Sequence, residues 1–157
     1  MVTVRVPATT ANLGPGFDTL GLALALYNTL TFEEVPEGLF FDGVEPEYAS
    51  EENLAVVAYK AVLAELGLSM PGLRVSISGD IPICRGLGSS AALIAAGAAG
   101  ANANHGSPLS REELLAVCNA IEGHPDNLAP AIFGGLVASF VEDGRPYIAR
   151  YSLHRSL

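Results

Sequence analysis

Lysine is nearly missing from this chain. Among 157 residues only Lys60 carries an ammonium side chain, and 17 acidic residues stand against 8 lysines plus arginines, for a net charge of −9. That balance argues against nucleic acid as a partner, because its binding rests on basic patches that neutralise phosphates. A membrane-spanning run is lacking too. Such a segment needs about 20 apolar residues, and Gly100, Asn102 and Asn104 interrupt the alanine-rich stretch before it reaches that length. No basic region followed by an apolar core opens the chain, so no export signal is visible and a cytoplasmic protein is expected. Cysteine is scarce, and neither Cys84 nor Cys118 belongs to a C-x-x-C pair, so both are expected to be reduced, buried, small apolar residues. There is no internal repeat and no low-complexity linker. Half of the chain is apolar, which at this length predicts one globular domain over residues 1–157.

What is present is concentrated in one segment, Pro82-Ile83-Cys84-Arg85-Gly86-Leu87-Gly88-Ser89-Ser90-Ala91-Ala92. Gly86 and Gly88 allow a bend in which backbone N–H groups meet a bulky anion without interference from Cβ atoms. Ser89 and Ser90 fall where N-caps and first-turn hydroxyls belong, and the alanines from Ala91 to Ala103 continue as a helix. The segment has the chemistry of a phosphate cradle. It is not a Walker A loop, which needs a lysine directly after the second glycine, nor does it space its glycines as a dinucleotide fingerprint does. An anion here must be neutralised by backbone amides, the helix terminus, Arg85 and a divalent metal. The plain alternative is an ordinary glycine turn into a helix.

Around it the pattern alternates between strands and helices. Val2 to Val6 reads as a strand stopped by Pro7, residues 11–18 as a shaped loop, and Leu20–Leu26 and Asn28–Glu34 as consecutive strands. A short hairpin is expected around Phe40 to Val44. Ser50 is expected to cap a helix that Gly67 ends, and Leu73–Ser78 alternates as a strand. Ser110 and Glu113 spell a capping box for a helix over Arg111–Ile121, closed by Glu122-Gly123. A short helix at Leu128–Ile132 and strands at Leu136–Phe140 and Tyr147–Tyr151 around Asp143-Gly144 complete an α+β pattern with a mixed, largely antiparallel sheet.

Two other loops collect polar groups that packing does not need: Asn12 with Asp18, and Glu122-Gly123-His124-Pro125-Asp126-Asn127. Singly, Asp18 reads as a turn former, Glu122 as a solvated helix end and His124 as a hydrogen-bonded loop histidine. Together with the serine loop they form a site candidate.

Three segments in this order, P-A-T-x-A-N-L-G-x-G-F-D at Pro7–Asp18, P-x-x-x-G-L-G-S-S-A-A at Pro82–Ala92 and E-G-H-x-D-N at Glu122–Asn127, resemble the GHMP small-molecule kinases, in particular members that phosphorylate L-homoserine. The resemblance implies a GHMP-kinase N-terminal ATP-binding domain of the ribosomal protein S5 domain 2-like fold, with a sheet packed against helices. It implies ATP and Mg²⁺ as cofactors and ATP-dependent phosphorylation of L-homoserine to O-phospho-L-homoserine, a step of threonine biosynthesis. Pro82, Ile83, Cys84, Arg85, Gly86, Leu87, Gly88, Ser89, Ser90, Ala91 and Ala92 would wrap the triphosphate. Ser90 and Glu122 would hold Mg²⁺, a cation that takes oxygen ligands and keeps several waters. Asn53 would help frame adenine. Asn12, Asp18, His124 and Asp126 would bind the amino acid, and Asn127 would lie by the attacking hydroxyl, so that Asn127, Glu122 and Ser90 make the catalytic set.

Phosphoryl transfer passes through a loose transition state, so positioning outweighs base catalysis. Alignment of two substrates contributes on the order of 7–11 kcal/mol, whereas a general base gives a factor of about 10²–10⁴. The resemblance, which implies an asparagine where related kinases of the family are described as using an aspartate base, makes Asp126 a substrate ligand rather than a base. Family members continue into a second domain whose arginines grip the acceptor's carboxylate. That domain is expected to be absent here, Arg145, Arg150 and Arg155 to be hairpin surface charges, turnover by these residues alone to be weak or nil, and the undocked face to favour self-association, with a homodimer possible. Two rival readings stay open: another GHMP kinase acting on a different alcohol, and a nucleotide-binding fragment without catalysis.

Overall fold

The computed structural model describes residues 1–16, 18–83 and 85–152; Cys84 of the glycine segment and Arg155 lie outside them. Among the described residues six strands form one sheet. β1 (Val2–Thr10) and β2 (Leu20–Val35) are antiparallel over nearly their whole length, from Val2↔Phe32 to Thr10↔Leu22. The other edge of β2 is shared. β4 (Gly72–Gly79) pairs with it from Asn28 to Val35, and β5 (Leu136–Glu142) pairs only at Leu20–Leu22. The sheet therefore splits along the middle of β2, where β4 turns away at Gly79. β3 (Leu39–Asp42) lies outside β4, and β6 (Arg145–Tyr151) outside β5.

Several expectations are corrected. Pro7 does not stop β1, because a register shift between Pro7 and Thr9 spares the ladder the missing N–H and the strand resumes to Thr10. β2 is one strand rather than two, since β1 supplies a partner on both sides of Tyr27-Asn28. Phe40–Val44 is no hairpin: β3 runs parallel to β4, and parallel neighbours need a crossover, which α1 (Leu54–Glu65) supplies. The cap of α1 is Asn53, whose Oδ1 accepts from Ala55 N at 3.0 Å, while Ser50 Oγ accepts from Glu52 N at 3.2 Å one turn earlier.

The helices cover one face of the sheet. α2 (Ser89–Asn104) is the central one and packs on α1, β1, α3 (Arg111–Glu122) and α4 (Leu128–Phe133). Its small residues make that possible: a Cβ at Gly97 would strike the carbonyl of Ala55 on α1, and one at Gly100 would strike the Phe32 ring. Phe32, Leu30, Tyr59, Val62, Leu63, Leu73, Ile94, Leu115 and Leu128 fill the interior. Cys118 is buried among them, and burial pushes its thiol up to about 12. It is an inert apolar residue, as the sequence suggests. Tyr59 keeps its hydroxyl satisfied inside by donating to Glu34 Oε1 at 2.8 Å and accepting from Asn104 Nδ2 at 2.8 Å. Among the described residues no helix is long and apolar enough to cross a membrane.

Candidate active site

A cleft of about 960 Å³ opens at the split in the sheet. The end of β4, the glycine loop and the first turn of α2 line it on one side, the approach to α1 on another, and the α3–α4 connection on the third. Asn28 anchors the loop's entry: its Oδ1 accepts from Ile81 N at 3.0 Å, and Asp80 N reaches Tyr27 O at 3.3 Å.

Gly86 and Gly88 take the left-handed backbone that the sequence assigns to them, with φ of 68° and 65°. Gly88, rather than a serine, stands at the N-cap of α2, and no side chain caps this end. The first helical hydrogen bond runs from Ala92 N to Gly88 O at 2.8 Å, so the N–H groups of the opening turn have no helical partners. They face the cleft with the positive end of the helix dipole. The charged side chains lining the cleft are mostly acidic: Asp18, Glu45, Glu47, Glu52, Glu122 and Asp126 stand against Arg85.

Ser90, in the first turn of α2, donates its hydroxyl proton to Glu122 Oε1 at 2.7 Å. Glu122 ends α3, where Gly123 (φ 91°) turns the chain away. Two residues on, His124 Nδ1 lies 2.7 Å from Asp126 Oδ1, which also accepts from Asn127 N at 2.8 Å. Asp126 is 4% exposed, so this carboxylate is held by its neighbours rather than by water. Asn127 accepts through Oδ1 from the Thr9 hydroxyl at 2.9 Å.

The profile of the GHMP kinases N terminal domain matches residues 53–135, more than half of the chain. The chain belongs to the GHMP kinase family. A homoserine kinase of Clostridium beijerinckii is 49% identical over 148 residues, 94% of this chain and 50% of that protein. A Listeria monocytogenes structure assigned as a homoserine kinase superposes with a TM-score of 0.82 at 40% identity, over 95% of this chain and 53% of its own. The crystal structure of the Cytophaga hutchinsonii homoserine kinase gives 0.80 at 27% identity, over 94% and 51%. The chain thus spans about half the length of the curated relatives it matches. The α+β architecture, with its mixed sheet packed against helices, is that of the family's N-terminal domain.

Within this GHMP kinase fold the residues singled out by sequence fall into two groups. Asn12, Asp18, Asn53, Ile83, Arg85, Gly86, Gly88, Ser89, Ser90, Glu122, His124, Asp126 and Asn127 all line the one cleft, although they come from four separate segments. Pro82, Leu87, Ala91 and Ala92 lie outside its lining; the two alanines are fully buried and Leu87 packs on the core. Asn53 has both ends of its amide engaged, since Nδ2 donates to Tyr48 O at 3.0 Å while Oδ1 caps α1. Asn28 and Thr9 were missed by sequence reasoning. Asn28 sits in a strand where a lone polar side chain on the interior face is the signal; Thr9 belongs to the Pro7–Asp18 segment, but Pro7 hid its place in the strand by suggesting that β1 had already ended.

Proposed function

We propose that residues 1–157 are the N-terminal ATP-binding domain of a cytoplasmic homoserine kinase, which transfers the γ-phosphoryl group of ATP to the hydroxyl of L-homoserine and gives O-phospho-L-homoserine for threonine biosynthesis. The observation that carries this reading is the 2.7 Å Ser90–Glu122 pair beside the uncapped first turn of α2, in the same cleft as Asp18, His124 and Asp126. The free N–H groups of that turn take phosphate oxygens. Six carboxylates and one arginine line the cleft, so a triphosphate also needs a cation. The Ser90 and Glu122 oxygens fit Mg²⁺: they are hard donors, already adjacent, and too few to enclose an ion, as suits a metal that keeps waters and binds substrate phosphates. No group of three or more His, Cys, Asp or Glu among the described residues competes for this role. When bound, the metal neutralises charge on the phosphate oxygens.

The acceptor's ammonium falls to Asp18 and Asp126. Asp126 is oriented by His124 and by the Asn127 backbone, which makes it a fixed ligand rather than a mobile base. Asn127 borders the space where the acceptor hydroxyl meets the phosphate. Exposed aromatic residues on the β5–β6 hairpin, with Phe140 and Tyr147 stacked at 5.3 Å, support self-association, for which a homodimer is the simplest form.

One observation favours a second reading. Arg85 is the one arginine or lysine among the described residues lining the cleft, and it has to serve both triphosphate and acceptor carboxylate, which suits nucleotide binding without turnover or an uncharged alcohol as acceptor. Calorimetric titration with Mg·ATP, followed by ³¹P NMR of mixtures with L-homoserine, mevalonate and a hexose, separates the three. O-phospho-L-homoserine as the single new resonance supports the main reading. Carried out on the whole gene product, the same titration supports a rival if product comes only from another alcohol or if Mg·ATP binds with no product, and the absence of nucleotide binding removes the kinase reading altogether.

A further inference from the structure

Thr9 touches no cleft space, is fully buried, and yet is tied to both halves of the candidate site. Its backbone N–H donates to Leu87 O at 3.1 Å, in the middle of the glycine loop. Its hydroxyl lies where a Cβ on Gly88 would have to go. That hydroxyl donates to Asn127 Oδ1 at 2.9 Å, across 118 residues of sequence.

The state of Asn127 makes the last bond informative. Asn127 stands at the N-cap of α4, the position where an asparagine ordinarily turns its oxygen onto the first-turn amides, but it makes no such cap. Asn53, at the equivalent place on α1, does. The Asn127 oxygen has been drawn away to Thr9. Its orientation follows from chemistry on both sides: Asp126 Oδ1 can only accept, so the amide nitrogen, 3.4 Å away, faces the carboxylate. The oxygen then faces Thr9, whose hydroxyl must donate. The amide nitrogen's second proton is left for the cleft that Asn127 lines.

We infer that Thr9 is a positioning residue for phosphoryl transfer: its hydroxyl locks the Asn127 amide with the nitrogen toward the acceptor, and its backbone bond to Leu87 ties that orientation to the conformation of the glycine loop. The inference rests on the kinase reading above and deepens it. Thr9 contacts neither substrate, so its removal alters alignment rather than affinity.

The test uses the full chain with Thr9→Val, which keeps the shape and loses the hydroxyl, Thr9→Ser, which keeps the hydroxyl, and Asn127→Ala. In Thr9→Val the two side-chain amide proton resonances of Asn127 should move toward free-asparagine positions, whereas Thr9→Ser should keep them. With Mg·ATP and L-homoserine, kcat of Thr9→Val should fall by about 10- to 100-fold while both KM values stay within about twofold. Thr9→Ser should recover most of that loss, and in an Asn127→Ala background Thr9→Val should cost nothing further. The inference is overturned if Thr9→Val leaves the Asn127 resonances in place. It is equally overturned if both Thr9 variants lose activity with rising KM values, the signature of a packing role. Should the unaltered chain neither bind Mg·ATP nor make product, the kinase reading fails, and the Asn127 resonances alone decide whether Thr9 holds that amide.

Discussion

Two helices of this protein begin in opposite ways. α3 opens with a complete capping box, in which Ser110 Oγ accepts from Glu113 N at 3.2 Å and Glu113 Oε2 accepts from Ser110 N at 2.8 Å. α2 opens on a left-handed glycine with no side-chain cap at all. α3 uses its own sequence to satisfy the backbone, and α2 leaves its amides to the cleft. An unsatisfied terminus destabilises a fold, so under the proposed function the difference marks where phosphate binding takes precedence over local stability. α1 lies between the two: Asn53 caps it while also lining the cleft.

The comparison breaks most severely at Ser90 and Glu122. Glu122→Gln or Ser90→Ala should lower phosphoryl transfer by on the order of 10²–10³-fold with little change in melting temperature. Steady-state rates over a range of Mg²⁺ concentrations check this, and an unchanged metal dependence would reduce the 2.7 Å contact to a tie between helices. Gly88→Ala puts a methyl group onto Thr9 Oγ1 at a φ of 65°. It should weaken Mg·ATP binding at least about tenfold and cost roughly 1–3 kcal/mol of stability, read by calorimetry and by urea unfolding. For Asn53→Ala both readouts should move, stability by about 1 kcal/mol for the lost cap and Mg·ATP affinity by a few-fold, since one side chain serves both ends of the contrast.

Ser110→Ala is the smallest of these and the most selective. It should cost about 1 kcal/mol and leave nucleotide affinity untouched. Hydrogen bonds from the Ser110 backbone N–H and hydroxyl hold Glu113 below the usual carboxylate range. A carboxylate depressed in the folded state contributes stability above its unfolded value and loses it as pH falls through its folded one. Urea midpoints measured on descending through the acid carboxylate range should therefore fall more steeply for the native chain than for Ser110→Ala. Equal slopes would mean that the box contributes nothing in solution.

The capping box and the glycine loop were legible because both are local: Ser110 and Glu113 lie three residues apart, and a positive φ at Gly86 or Gly88 is written in the residue itself. The grouping of Asn12, Ser90, Glu122 and Asp126 could be read from motif resemblance, but their convergence on one cleft belongs to the topology. What sequence did not disclose depends on partners far away in the chain. The continuity of β2 through Tyr27-Asn28 needs β1 alongside it, the parallel placement of β3 needs α1 to carry the chain across, and Thr9 gains its meaning only where β1 meets Gly88 and Asn127. The cap of α1 went to Asn53 rather than Ser50 because tertiary packing chose where the first turn starts, and propensity ranks the two almost equally.

The contact of Gly97 with Ala55 carries a consequence for how the protein can be perturbed. Gly97 lies eight residues beyond Ser89, about 12 Å along the helix axis, and no side chain larger than hydrogen fits there without lifting α2 off α1. The helix is thus gauged by a shim of zero thickness, and any methyl group inserted at that depth tilts the far end bearing the uncapped amides. Loss of nucleotide affinity could arise from a buried seam that no ligand approaches, and a mutational map drawn only around the cleft would overlook it.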